Sequence, residues 1–200
     1  MSVSLAAEIA SAAARLVVDE GMEYAQAKRK AARLLGRHTR GSAALPSNEQ
    51  VEDEVREHLA LFCADTQPAE LRALRELALR WMLRLAEFRP HLGGAVWRGT
   101  ATRLSAIHLD LYCDDPKAAE IALINLAVDY DVAGGDAGTE TDYLSVADHC
   151  PALGLGEVVT LHLAVRDLDE QRGALKPDAR GRSWRGDAAA LQRLLEGTAQ

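Results

Sequence analysis

Three side chains in the second half of the chain have the types and spacing to do chemistry. In Ile107-His108-Leu109-Asp110-Leu111 the polar residues alternate with apolar ones. Side chains two apart on a strand share a face, so His108 and Asp110 point to the same side. A later segment, Thr160-Leu161-His162-Leu163, repeats the alternation and presents His162. Imidazole titrates near neutrality, and it binds softer metals better than it binds Mg²⁺. Were the two strands neighbours, His108, Asp110 and His162 would face one cleft. They would then be placed to activate a hydroxyl or to hold a transition metal, as in a metal-dependent hydrolase. Hydrogen-bonded histidines on a half-exposed sheet are the competing reading.

Upstream, Arg98-Gly99-Thr100 reads as a turn after a short apolar strand, Ala95-Val96-Trp97. Glycine lets a backbone approach a phosphate, and a neighbouring hydroxyl can donate to the anion. Arg98 and Arg103 flank the turn, and guanidinium forks match phosphate oxygens. Arg98, Gly99, Thr100 and Arg103 are therefore the candidate nucleotide-binding set. A tail with Arg172, Lys176, Arg180, Arg182 and Arg185, folded over the turn, would complete a phosphate pocket. Asp167, Asp169, Glu170, Asp178 and Asp187 are interspersed with these bases, so a solvated face of mixed charge fits the tail as well.

The elements that must position these residues change character near residue 90. The first 90 residues carry helical periodicity throughout. Leu5, Ile9, Ala12, Ala13 and Leu16 mark a first helix, stopped by Gly21. A second runs from Glu23 to Leu35, and Val51, Val55, Leu59 and Phe62 mark a third, stopped before Pro68. Leu71, Leu74, Ala78, Trp81, Leu85 and Phe88 form one apolar stripe on a fourth. That stripe is core or the seam of a homodimer through residues 71–88. Beyond it, strands are expected at 95–97, 107–113, 128–132, 143–146 and 158–165. Asp115-Pro116 starts a helix, with Asp as N-cap and Pro at the first helical position. Asp187 caps a last helix over 188–195. The expected class is α+β: a helical N-terminal region, 1–90, packed on a small mixed-sheet domain, 91–200.

The strand, Gly-Thr turn, basic linker and polar-faced strand together resemble the core of the nucleotidyltransferase fold. In that fold a strand ends in Gly-Ser or Gly-Gly. The next strand begins Ser-Asp-x-Asp with two metal-binding carboxylates, and a later strand adds a third. The likeness covers Leu85 to Val165. It implies a nucleotide or other phosphorylated small molecule as ligand and a divalent metal as cofactor. Here Ser105-Ala106-Ile107-His108-Leu109 stands in place of Ser-Asp-x-Asp-x, so Ala106 and His108 replace both carboxylates. His162 stands at the place of the third. A slide of two residues pairs His108 with Asp110 and restores one carboxylate. The resemblance thus implies a degenerate member, a pseudoenzyme or weakly active transferase, whose catalysis, if any, would use Asp110 with His108 or His162. The whole chain also resembles a small bacterial family labelled UDP-N-acetylmuramate–alanine ligase. Such ligases need a phosphate loop, and none of Lys28, Lys30, Lys117 and Lys176 follows a glycine, so G-x-x-x-x-G-K-[ST] is missing. G-x-S-x-G and H-E-x-x-H are missing too.

Composition narrows the rest. Two hundred residues, 48% hydrophobic and 26% charged, can bury a core, which excludes a disordered or collagen-like chain. With 4% aromatics the core must be built from Leu, Ala and Val. A formal charge of −7 disfavours nucleic acid and membrane surfaces as partners. The rival reading is a non-enzymatic regulatory or interaction protein. Its basis is the basic run Lys28, Arg29, Lys30, Arg33, Arg37 and Arg40, which could meet DNA phosphates or a protein partner. Three widely spaced cysteines, Cys63, Cys113 and Cys150, fit reduced thiols rather than a disulfide framework. Glu8 interrupts any apolar leader, and no apolar run reaches membrane-span length, so the expected location is cytoplasmic.

Overall fold

The structure is a computed structural model that describes residues 4–36, 45–133, 143–173, 176–177 and 181–197. Among these residues the helices are α1 (Leu5–Glu20), α2 (Tyr24–Leu34), α3 (Asn48–Phe62), α4 (Gln67–Arg84), α5 (Gly94–Arg98), α6 (Pro116–Asn125) and α7 (Ala188–Gly197). The strands are β1 (His91–Gly93), β2 (Ile107–Tyr112), β3 (Asp131–Ala133), β4 (Tyr143–His149) and β5 (Val158–Arg166). They form one sheet in the order β1-β2-β5-β4-β3. The β2–β5 pair is parallel and the others are antiparallel. The protein is therefore α+β with a mixed sheet. Among the described residues, no helix is long and apolar enough to cross a membrane.

The chain divides into two compact units: residues 1–68 with 100–105, and residues 69–99 with 106–200. This differs from the expected boundary at residue 90. The reason lies in α4, whose buried stripe is Ala73, Leu74, Leu77, Ala78, Trp81 and Met82. The indole Nε1 of Trp81 donates to Asp148 Oδ2 on β4 at 2.8 Å, which ties α4 to the sheet. The stripe over 71–88 is thus core of its own unit.

In the first unit, α1, α2 and α3 meet through small side chains. Ala13, Ala14, Ala27, Ala31 and Ala32 are at most 2% exposed, around Ile9, Val51 and Val55. Alanine stripes let helices approach closely and favour helix intrinsically. Ser47 and Gln50 form a capping box at the start of α3, and the left-handed Gly21 closes α1. The basic run of α2 is tied down locally. Lys28 Nζ donates to Pro46 O at 3.1 Å and to Asn48 Oδ1 at 2.8 Å, and Lys30 meets Glu20 at 2.5 Å. Arg37 and Arg40 lie outside the described residues.

In the second unit, strand alternation sorts the sheet into two faces. Ile107, Leu109 and Leu111 are in register with Leu161, Leu163 and Val165, and Leu144 and Val146 continue the rows on β4. All of these are buried except Val165, which is half-buried, and Asp148 lies on the same face, under Trp81. The other face carries the polar residues.

One expected strand is a helix. Ala95-Val96-Trp97 lies in α5, and the strand precedes it as His91–Gly93. A five-residue helix is too short to be read from periodicity, and a tertiary contact stabilises it. The buried Arg75 of α4 donates from Nε to Val96 O at 3.1 Å and from Nη2 to Trp97 O at 3.2 Å. These are carbonyls that a helix C-terminus leaves without a partner, and a guanidinium suits that end of the dipole.

Burial pushes the Asp148 carboxyl up, but the bonds from Trp81 and Arg80 outweigh it and hold the group below the usual carboxylate range. A lowered carboxylate pKa contributes stability that is present above about pH 4 and is lost as pH falls through the folded value. Asp148→Asn is expected to cost about 1–2 kcal/mol at pH 7. Its thermal midpoint should also fall less than that of the parent between about pH 4 and pH 2. Parallel acid limbs in the two melting series would refute this role.

Candidate functional site

The polar face of the sheet is organised as a row. Gly93 is in register with His108, His108 with His162, His162 with Ser145, and Ser145 with Asp131. Residues in register present side chains to one face, so the row crosses all five strands on a single side of the sheet. The rings of His108 and His162 lie 5.2 Å apart, centre to centre, tilted by 36°. His162 Nδ1 and Ser145 Oγ are 3.0 Å apart. All three side chains are half-buried.

The row ends at a strand-to-helix turn. Gly94 has φ +64°, and a Cβ there would stand 3.2 Å from His108 Cδ2. The imidazole therefore fills the space that only a glycine leaves open. β1 stops at Gly93 and α5 starts at Gly94, so a Gly-Gly pair marks the strand end.

Asp110 sits one pleat from His108 on the same face, roughly 7 Å along β2. Its carboxylate is taken by two guanidiniums. Arg166 Nε donates to Oδ1 at 2.7 Å, and Arg185 Nε donates to Oδ2. Burial alone would lower the Arg166 pKa, but the bond and charge of Asp110 outweigh it and raise the group above its ordinary value. Burial, and then the Asp110 charge, pushes the neighbouring Tyr112 phenol up. Asp110 is thus on the expected face, but both of its oxygens are engaged.

Arg185 arrives on a strap at the free edge of β1. Leu92 N donates to Gly186 O at 2.8 Å, and Gly186 N returns a bond to Leu92 O at 3.0 Å. Trp97 Nε1 donates to Ser183 O at 2.9 Å, and the Arg98 guanidinium lies 4.4 Å from the Trp184 ring centre. A Cβ at Gly93 would be 3.5 Å from Arg185 Cγ, so the Arg185 stem runs beside the turn.

Of the expected nucleotide-binding set, Gly99 and Thr100 take other structural roles. That glycine is the left-handed C-cap of α5, φ +83°, with Arg75 Nη2 3.5 Å from where its Cβ would be. Thr100 is 1% exposed, and its Oγ1 lies 3.4 Å from the Tyr24 hydroxyl in the first unit. A turn that follows a helix and buries its hydroxyl is not the strand-end phosphate turn the sequence suggested. Gly93-Gly94, Ser145 and Arg166 were missed. For Arg166 the signal was present, since the alternation through His162 continues to 166 on the same face. Arg180 of the tail lies outside the described residues.

The donors here do not fit Mg²⁺. Imidazoles stand where the resemblance places carboxylates, and Asp110 already accepts two guanidiniums. Among the described residues, no group of three or more His, Cys, Asp and Glu side chains is arranged to hold a metal ion.

Fold and site together define a class: an α+β unit whose mixed sheet is apolar on one face and bears an imidazole pair and a carboxylate clasped by arginines on the other. Family models, curated proteins and solved structures all return no match to the chain.

The strap depends on a glycine. A Cβ at Gly186 would meet Trp97 Cη2 at 2.1 Å. Gly186→Ala is therefore expected to lower stability by about 1–3 kcal/mol, the usual cost of overpacking. Thermal melts of Gly186→Ala in the parent and in a Trp97→Ala background check this. An equal loss in both backgrounds would show that the indole contact is not the cause.

Proposed function

We propose that the second unit is a degenerate nucleotidyltransferase-like module. It binds a nucleotide or other phosphorylated small molecule on the polar face of its sheet and has little or no metal-dependent transferase activity. The observation that carries this reading is the in-register pair His108 and His162 beside the Gly93-Gly94 strand end. The resembled fold also ends a strand in Gly-Gly and faces it with acidic residues on the next strand and on a later one. The order of elements from β1 through β5 supports the same likeness. Where carboxylates would hold metal, imidazoles supply ring nitrogens that can donate or accept a hydrogen bond. They suit binding of a partly protonated phosphate or a sugar hydroxyl better than Mg²⁺ chemistry.

In this reading Gly93 and Gly94 let a ligand approach the backbone, and His108 and His162 hydrogen-bond it. Ser145 positions His162 through its ring nitrogen. Asp110 positions the arginines and touches no reacting atom.

Calorimetry with ATP, GTP, CTP and UTP tests the reading. At least one is expected to bind the parent chain, and His108→Ala is expected to weaken it about tenfold, the loss of one good charge-assisted bond. Phosphoryl or nucleotidyl transfer should stay near background with either Mg²⁺ or Mn²⁺. If no nucleotide binds, or if His108→Ala binds as the parent does, the reading fails.

A further inference from the structure

Asp110 holds two arginines by the same atom type and leaves their outer edges open. Arg166 and Arg185 each direct Nε at one oxygen of the carboxylate. Arg166 also donates Nη1 to Glu170 at 3.4 Å. Among the described residues, the terminal amino groups of Arg185 and Nη2 of Arg166 make no hydrogen bond to protein. Both side chains retain solvent access, 23% for Arg166 and 33% for Arg185, while Asp110 has 10%. A guanidinium anchored through Nε has its Nη donors fixed in direction, and fixed forks are what phosphate oxygens match. With Asp110 between the two guanidiniums and Glu170 on Arg166, the formal charges of the cluster balance, and what it offers an anion is the fixed direction of the remaining Nη donors.

The placement adds to the chemistry. Asp110 is one pleat from His108, and Arg166 lies on the same face of β5 as His162. The Arg185 stem lies beside Gly93. Guanidinium donors therefore lie on the same face as the imidazole pair, where the resembled fold concentrates negative charge to hold metal. Guanidinium donors held in place can receive an anion without a divalent ion to bridge it.

We propose that Arg166 and Arg185, clasped by Asp110, form a metal-independent site for the phosphates of the ligand. The site rests on the proposed phosphorylated-ligand reading and assigns its charge recognition to protein rather than to Mg²⁺. It takes a phosphate-bearing group, whose oxygens match guanidinium forks, and polyphosphates are the probes with most such oxygens.

The test uses the full chain, with calorimetry of ATP and of sodium tripolyphosphate, each in EDTA and in Mg²⁺. ATP and tripolyphosphate are expected to bind in EDTA, with Mg²⁺ giving no increase in affinity. Arg185→Gln is expected to weaken both about tenfold or more, and Arg185→Lys to recover only part of that loss. Arg185→Gln can also release the strap, so thermal melts accompany it. Arg166→Gln, on a central strand, supplies an independent variant with the same expected loss. Binding that requires Mg²⁺ overturns the proposal, as does unchanged binding in folded Arg166→Gln and Arg185→Gln. Tripolyphosphate binding that depends on the arginines, with no nucleotide bound, supports the site and sinks the nucleotide reading. Failure of both ligands in EDTA overturns the site, and ATP binding in Mg²⁺ alone then leaves the nucleotide reading standing.

Discussion

A single carboxylate shared by two guanidiniums organises the second unit. Asp110 is nearly buried on β2, and a buried charge is tolerated only when paired and hydrogen-bonded. Arg166 supplies one partner from the neighbouring strand β5 and Arg185 the other from the strap near the C-terminus. The strap brings its backbone to Leu92, its Ser183 carbonyl to Trp97 and its Trp184 ring under Arg98. The ion cluster thus ties together the two central strands, the edge strand β1 and the last segment before α7. It also shapes the polar face, because both oxygens of its carboxylate are committed to guanidiniums.

The two faces of the sheet divide the work. Trp81, Leu109, Leu161 and Leu163, each at most 1% exposed, make one face core, and burial of that surface drives formation of the unit. The opposite face has no such constraint on polarity. There His108, His162 and Ser145 stand in register across three strands. Regular strand pairing turns sequence alternation into a row of polar side chains, with no loop needed to collect the groups. α5 closes one end of this row, and it depends in turn on Arg75, whose guanidinium satisfies the carbonyls of Val96 and Trp97. Arg75 remains charged despite the lowering effect of its burial, since arginine titrates far above neutrality.

Much of the fold was legible without coordinates. Apolar spacing located α1, α3 and the inward face of α4. The Asp115-Pro116 start of α6 and the alternation of β2 and β5 also appear where local rules place them. The pairing of His108 with His162 was legible only as a condition, since alternation orients a side chain but does not choose its neighbouring strand. The Gly-Gly strand end was hidden because Ala95-Val96-Trp97 has the composition of a strand, while the helix it forms has its last carbonyls bonded by Arg75, some twenty residues earlier in the chain.

By itself, then, the sequence determined most element types, the α+β class and the polarity of each strand face. Those properties are local, set by side-chain period and by the chemistry of single positions. Tertiary structure alone decided that α4 belongs with the sheet, that Thr100 is buried against Tyr24, and that Asp110 is clasped by arginines 56 and 75 residues away. Such partners are set by strand order and strap path, which minimise unpaired buried charge over the whole unit and leave no trace in any short window of residues.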